Sequence, residues 1–432
     1  MAGVVVVGGG LGGLASAARL AKLGHQVTLV DAGQTLGGAL RPVERDDYMW
    51  DSAATYSLLP AVVRDLFRKS GRPIERELEL IKVPVLREHR FADGSRVSVH
   101  GGSRAEQLGA FNALGPGLGD QWCDFVAAYA DDWELIRRNY LERPWAPDVA
   151  PRELARRLLS RESLHRRITG VLADPRLREV AAFPHVYAGH DLRSVPAWLG
   201  TTSYVEQAFG GWTLPGGMAT LATALTRRLA TRGVTVLSGT VTDLVVRHDR
   251  VVAVRIGPEE LAADAVVVAV DPRRLPALAP HVRRTIPVTP PATTYLGLSG
   301  EVPALAPETA VHGAGLLVVR TGGRAPSGHH AWTLQHRGSP TDPVEALAAR
   351  GIDVREQVVV RIDRTPVELV ADWGGSPDGL LWQGRRTIRD RLGPRTPIGG
   401  VYAAGAHAAP GGGLPFVGLS AALVAQAIGP AT

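Results

Sequence analysis

Four consecutive valines at residues 4–7 form an apolar, β-branched run of the kind that makes a strand buried on both faces. Residues 14–23 then space their apolar groups as a helix does, with Gly24 placed to cap it, and residues 26–30 form a second strand ending on Asp31. Residues 57–68 read as a helix, and 85–99 as a hairpin turning at Asp93-Gly94. From about 104 to 167 the spacing is helical, with Trp122, Phe125, Tyr129, Trp133, Tyr140 and Trp145 expected as core. A turn at 215–218 leads into a helix through Leu229, followed by strands at 234–237, 241–247, 251–256 and 265–270. The last of these is apolar almost throughout and suits a central parallel strand. Strands separated by loops rich in Gly, Pro and His are expected across 289–361, and residues 400–429 give a strand, a glycine-rich turn and a helix from Pro415. Parallel α/β character therefore lies at both ends and in the middle, with two insertions between, as when one α/β unit hosts a separate substrate-covering unit.

The turn between the first strand and helix carries chemistry. It reads Gly8-x-Gly10-x-x-Gly13: the first glycine permits a tight turn, the second lets backbone approach a pyrophosphate, and the third lets helix pack closely on strand. Free N–H groups at the helix N-terminus favour the diphosphate, and Asp31 is placed to accept from an adenosine ribose hydroxyl. Gly115 to Gly119 imitates a second such loop, but no strand precedes it and Pro116 suits a helix boundary, so an interhelical turn is expected there.

Composition removes several function classes. Among 432 residues, 45% are hydrophobic and 21% charged, the balance of a globular protein large enough for two or three domains. The net charge of +6 comes almost wholly from arginine, since Lys22, Lys69 and Lys82 are the only lysines. Those arginines are scattered among acids on helix faces, so no nucleic-acid partner is expected. Cys123 stands alone, which excludes an internal disulfide framework, a CxxC redox centre and a cysteine metal cluster. No metal site is expected at His329-His330. Met1 runs straight into the first strand without a leader pattern, and no apolar run approaches the ~20 residues of a membrane span. A cytoplasmic location is expected, with a peripheral membrane contact left open.

Five segments in one order carry a family likeness: GGGLGGLASAARL…VTLVDA…LGG at the start, YMWDSAATY, AFGGWTLPGGMATLATAL, RTPVEL from Arg364, and GVYAAGAHAAPGGGLPFVGLSAAL from Gly400. With them the chain resembles the FAD-dependent phytoene desaturase-like family, within the flavin amine oxidase / phytoene desaturase superfamily. The resemblance implies an α/β fold, an FAD-binding Rossmann-type (glutathione-reductase-like) domain with an inserted α+β substrate domain. It divides the chain into FAD-binding parts at 1–100, 213–288 and 396–432, a mainly helical insertion at 101–212 and a strand-rich insertion at 289–395. It implies FAD as cofactor, with Gly8, Gly10, Leu11, Gly12 and Gly13 at the pyrophosphate and Asp31 and Ala32 at the ribose. Gly37 and Gly38 would line the diphosphate and ribityl region, Val241 the adenine edge, and Gly405 and Ala406 a second phosphate and ribityl contact. Leu414, Pro415 and Phe416 would open a helix aimed at the pyrimidine end of the flavin, where a helix N-terminus stabilises reduced, anionic flavin. His185, Tyr187 and Trp212 would line the substrate cavity. The family's Thr-His-Pro-Gly run is replaced here by Ala408-Ala409-Pro410-Gly411, with a histidine earlier at His407, the candidate catalytic base.

The function so implied is dehydrogenation or desaturation of a hydrophobic small molecule, a terpenoid or specialised metabolite, with hydride passing to flavin N5 and electrons leaving to oxygen, a quinone or another carrier. The chain is shorter than typical carotenoid desaturases, which argues against a long C40 polyene. The alternative is an amine or amino-acid oxidase of the same superfamily. Many of those place a lysine near N5 late in the chain, and no lysine follows Lys82 here. A non-catalytic binding protein on this fold would be marked by a degraded phosphate loop, and this loop is intact.

Overall fold

The structure is a computed structural model that describes residues 3–145, 148–313, 315–338 and 342–431. The valine run forms the strand Gly3–Val7, at the centre of a five-stranded parallel sheet. From edge to edge the order is Thr235–Ser238, Gln26–Asp31, Gly3–Val7, Ala265–Val268 and Val401–Ala403. Strands from the beginning, middle and end of the chain thus lie side by side. Alternation explains why the central strand is all valine. Val4 and Val6 pack under the helices Leu11–Lys22, Ala219–Thr231 and Leu414–Ile428, whereas Val5 and Val7 face Leu244, Val251 and Val254 of a three-stranded antiparallel sheet. Both faces are covered, and the sheet is the middle layer of three.

A seven-stranded sheet stands apart from this layer. Its order is Val358–Arg364, Ala292–Ser299, His329–His336, Leu317–Arg320, Glu308–Val311, Val85–Arg90 and Arg96–His100. All neighbours are antiparallel except Glu308–Val311 and Val85–Arg90. The hairpin expected from Asp93-Gly94 therefore exists, and it belongs to this sheet although it precedes the helical insertion by sequence. Helices between residues 104 and 209 cover one end, with Trp122, Phe125, Tyr129, Trp133 and Tyr140 all buried. The helix expected over 57–68 is shifted. Ser57–Leu58 pairs with Gly211–Thr213, and the helix runs Pro60–Ser70 with proline at its first position. Gly117, at φ +75°, separates the helices Arg104–Leu114 and Leu118–Ala127, so the second glycine cluster is a turn.

A fully buried ion pair ties the helical cover to the seven-stranded sheet. Arg87 on Val85–Arg90 donates from both Nη atoms to the Glu206 carboxylate on Thr201–Phe209, at 2.8 and 2.7 Å. The side chains are 2% and 5% exposed. Removing one partner leaves the other charge buried and alone, so Glu206→Ala should lower unfolding free energy by about 3–5 kcal/mol in urea titration. A loss under about 1 kcal/mol would show that the pair does not join the two parts.

Candidate functional site

Between the parallel sheet and the seven-stranded sheet lies a cavity of about 600 Å3. Its floor is built from glycine. Gly37 N–H donates to the Gly9 carbonyl at 2.8 Å, and the Gly38 backbone lies against Gly10. A Cβ on Gly12 would stand 2.8 Å from Gly405 Cα, and one on Gly13 would overlap the Gly8 carbonyl. Gly13 therefore serves the packing of helix on strand. Gly10 differs: a Cβ there meets nothing closer than 3.9 Å, so the space above it is open to an occupant rather than filled by protein. The helix Leu11–Lys22 starts at Gly10 and Leu414–Ile428 at Gly413, and neither has a side-chain cap. Two uncapped helix N-termini therefore face one cavity, and both favour negative charge.

Of the residues expected to hold the cofactor, Gly8, Gly10, Leu11, Gly12, Asp31, Ala32, Gly37, Gly38, Val241, Gly405, Ala406, Leu414, Pro415 and Phe416 all line this cavity. Gly13 sits behind it. Asp31 is oriented from below: its carboxylate accepts from Gly9 N–H at 2.6 Å and Gly33 N–H at 2.9 Å. Gly405, at φ +91°, donates its N–H to Ser420 Oγ at 2.8 Å, which ties the turn before the last helix to that helix.

The substrate-side expectations divide. Tyr187 is on the cavity wall, and its hydroxyl donates to Gln335 Oε1 at 2.5 Å. His185 is not on the wall. It precedes Tyr187 by two residues on the helix Pro175–Tyr187, and positions two apart on a helix do not share a face. Trp212 is also elsewhere. It sits on the short strand Gly211–Thr213, its indole N–H donating to the Phe209 carbonyl, with the Arg64 guanidinium 5.3 Å above its ring. The segment 371–378 lines the cavity and carries no earlier expectation. It comprises the end of the helix Pro366–Trp373, capped at its start by a reciprocal Thr365–Glu368 pair, and the turn after it. The TPVE run announces that helix start, and Gly374-Gly375 announces its end.

His407 lines the cavity with a buried ring. Neither ring nitrogen has a hydrogen-bond partner. Nδ1 lies 3.9 Å from an Asp271 oxygen that already accepts from Arg273, and burial pushes the imidazole pKa down to about 4. Among the described residues, no group of three or more His, Cys, Asp and Glu is arranged to hold a metal ion, and no helix is long and apolar enough to cross a membrane.

Comparison with known proteins agrees with this geometry. The family model described as flavin containing amine oxidoreductase matches residues 11–330. The 4,4'-diapolycopen-4-al dehydrogenase of Metabacillus indicus is 26% identical, the alignment covering 98% of this chain and 96% of that protein. Hydroxyneurosporene desaturase of Cereibacter sphaeroides is 28% identical, over 98% of this chain and 97% of that one. Among solved structures, cyclohexylamine oxidase of Brevibacterium oxydans superposes with a TM-score of 0.68 at 15% identity, covering 99% of this chain and 98% of that chain, a likeness of fold.

Burial holds several histidines neutral. It pushes His185 and His312 down to about 4 and His190 to about 3, from an ordinary value of 6.5. Between pH 6.5 and 4 the unfolded chain binds protons that the folded chain does not, so stability should fall as pH drops through that window. Melting temperature measured from pH 7.5 to 4.5 should decline below about 6.5, less steeply in a His185→Gln variant. A flat or rising profile would contradict the burial of these rings.

Proposed function

The chain belongs to the flavin containing amine oxidoreductase family and is an FAD-dependent oxidoreductase; within that family we propose that it dehydrogenates an apolar small molecule. The observation that carries this reading is the single cavity that joins two uncapped helix N-termini to a wall on the seven-stranded sheet. FAD fits the near side. The open space over Gly10 and the free N–H groups of Leu11–Lys22 suit a diphosphate, the pre-oriented Asp31 carboxylate suits a ribose, and Leu414–Ile428 suits the electron-accepting ring. When bound, FAD supplies hydride acceptance at its flavin ring.

The chain's own part is to bind, orient and exclude water. Pro290, Pro291 and Tyr187 line the cavity and hold the substrate carbon against the cofactor. His407 is the proposed proton acceptor. It is neutral well below pH 7 because burial outweighs the attraction of Asp271, and the positive charges of Arg273 and Arg391 push the same way as burial. No lysine follows Lys82, which supports a dehydrogenase over an oxidase that reacts readily with oxygen. By function we assign residues 85–100 to the substrate side with 289–395, because that hairpin pairs with Glu308–Val311.

The test is anaerobic bleaching of bound flavin by a panel of terpenoids, cyclic ketones and amines. Apolar terpenoid-like compounds should bleach it and amines should not; bleaching by amines alone would move the chain to the amine oxidases. With a bleaching substrate, His407→Ala should slow flavin reduction about 10²-fold or more. The wild-type rate should stay level from pH 8 to 5, since the neutral imidazole persists there. An unchanged rate in the variant would leave His407 a packing residue.

A further inference from the structure

The lining of the cavity is not wholly the surface a hydrocarbon needs. Three buried or half-buried polar groups on it have no partner among the described residues: the Tyr56 hydroxyl, the third guanidinium nitrogen of Arg320 (Nη2) and the Asp378 carboxylate. Arg320 ends the strand Leu317–Arg320 and is 8% exposed. Its Nε donates to Glu308 at 2.9 Å and its Nη1 to the Ala53 carbonyl at 2.5 Å, so the side chain is held in one pose with Nη2 left over. Its guanidinium carbon lies 5.3 Å over the Tyr187 ring, whose hydroxyl is bonded to Gln335. Arg320, Tyr56, Tyr187 and Asp378 all line the one cavity, and the Arg320 charge acts on the other three.

Polar groups kept from water cost free energy unless something bonds to them. A purely hydrocarbon occupant would dry this wall and leave donor and acceptor unmatched. Resting on the reading of the cavity as a site for an apolar substrate, we infer that Tyr56, Arg320 and Asp378 form a subsite for a neutral oxygen-bearing group, a hydroxyl or carbonyl, on that substrate. Neutral follows from the charges present. Glu308 offsets Arg320, and Arg337 stands near Asp378, so two guanidiniums balance two carboxylates. Arg320 Nη2 donates, the Asp378 carboxylate accepts and Tyr56 does either, so a hydroxyl satisfies all three and a carbonyl satisfies Arg320 and Tyr56.

The experiment titrates the oxidised, FAD-loaded protein with farnesol, farnesal, farnesene and farnesylamine, reading perturbation of the bound-flavin spectrum. Farnesol or farnesal should bind at least about tenfold more tightly than farnesene, the worth of one or two hydrogen bonds. Tyr56→Phe and Asp378→Ala should shrink that preference to about twofold while leaving farnesene binding and FAD retention as in the wild type. Arg320→Met alone strands Glu308, so it is made together with Glu308→Gln, and Tyr56→Phe remains the milder check should that pair fail to fold. Equal binding of farnesene and farnesol overturns the subsite and leaves the apolar-substrate reading standing. Binding of none of the four overturns both. Tightest binding of farnesylamine shows a cation site and overturns the neutral one, and loss of FAD from Tyr56→Phe or Asp378→Ala assigns the wall to the cofactor instead.

Discussion

Close backbone approach is the constraint on which the structure depends. Three glycine stretches, at residues 8–13, at 37–38 and at 405, meet so closely that a side chain at Gly12 would strike Gly405 and one at Gly38 would press on Gly10. Because they meet, the first and last helices of the chain start beside the same cavity, more than 400 residues apart in sequence. The parallel sheet makes that meeting hold. The strand Ala265–Val268 lies between Gly3–Val7 and Val401–Ala403, so the turns that follow the first and last strands open on one edge. Ligand sites in open α/β sheets form at that carboxyl edge.

The second part of the molecule answers a different need. A redox site must keep water away from its reacting atoms, and here the seven-stranded sheet walls the cavity through Arg320 and Gln335, with Tyr187 added from the helical cover. The closure is not wholly apolar. Arg87–Glu206 joins cover to sheet, and Arg320–Glu308 brings charge to the cavity wall itself. Buried pairs of this kind are poor sources of net stability, so their value lies in the geometry they fix.

Much of this was legible in the sequence, for reasons that can be named. The four valines, Gly8-x-Gly10-x-x-Gly13 and Asp31 are local signals, each set by a rule of strand burial or backbone approach, and they reappear as a strand, a turn and an oriented carboxylate. The helix at Pro415 was equally plain. Contacts set by tertiary packing were not. The hairpin at 85–100 is obvious as a hairpin, yet its partner strand lies more than 200 residues later. His185 and Trp212 were placed on the cavity wall by likeness of segment, whereas helix phase and strand side turn them away. Arg320, Gln335 and Asp378 have no local signature at all, since only the folded sheet brings them together.

Hydrogen–deuterium exchange with and without FAD tests the central claim most directly, that both helix starts grip a single cofactor. One FAD per chain should slow amide exchange in residues 8–13 and in residues 405–417 together. Protection of one segment without the other would contradict it.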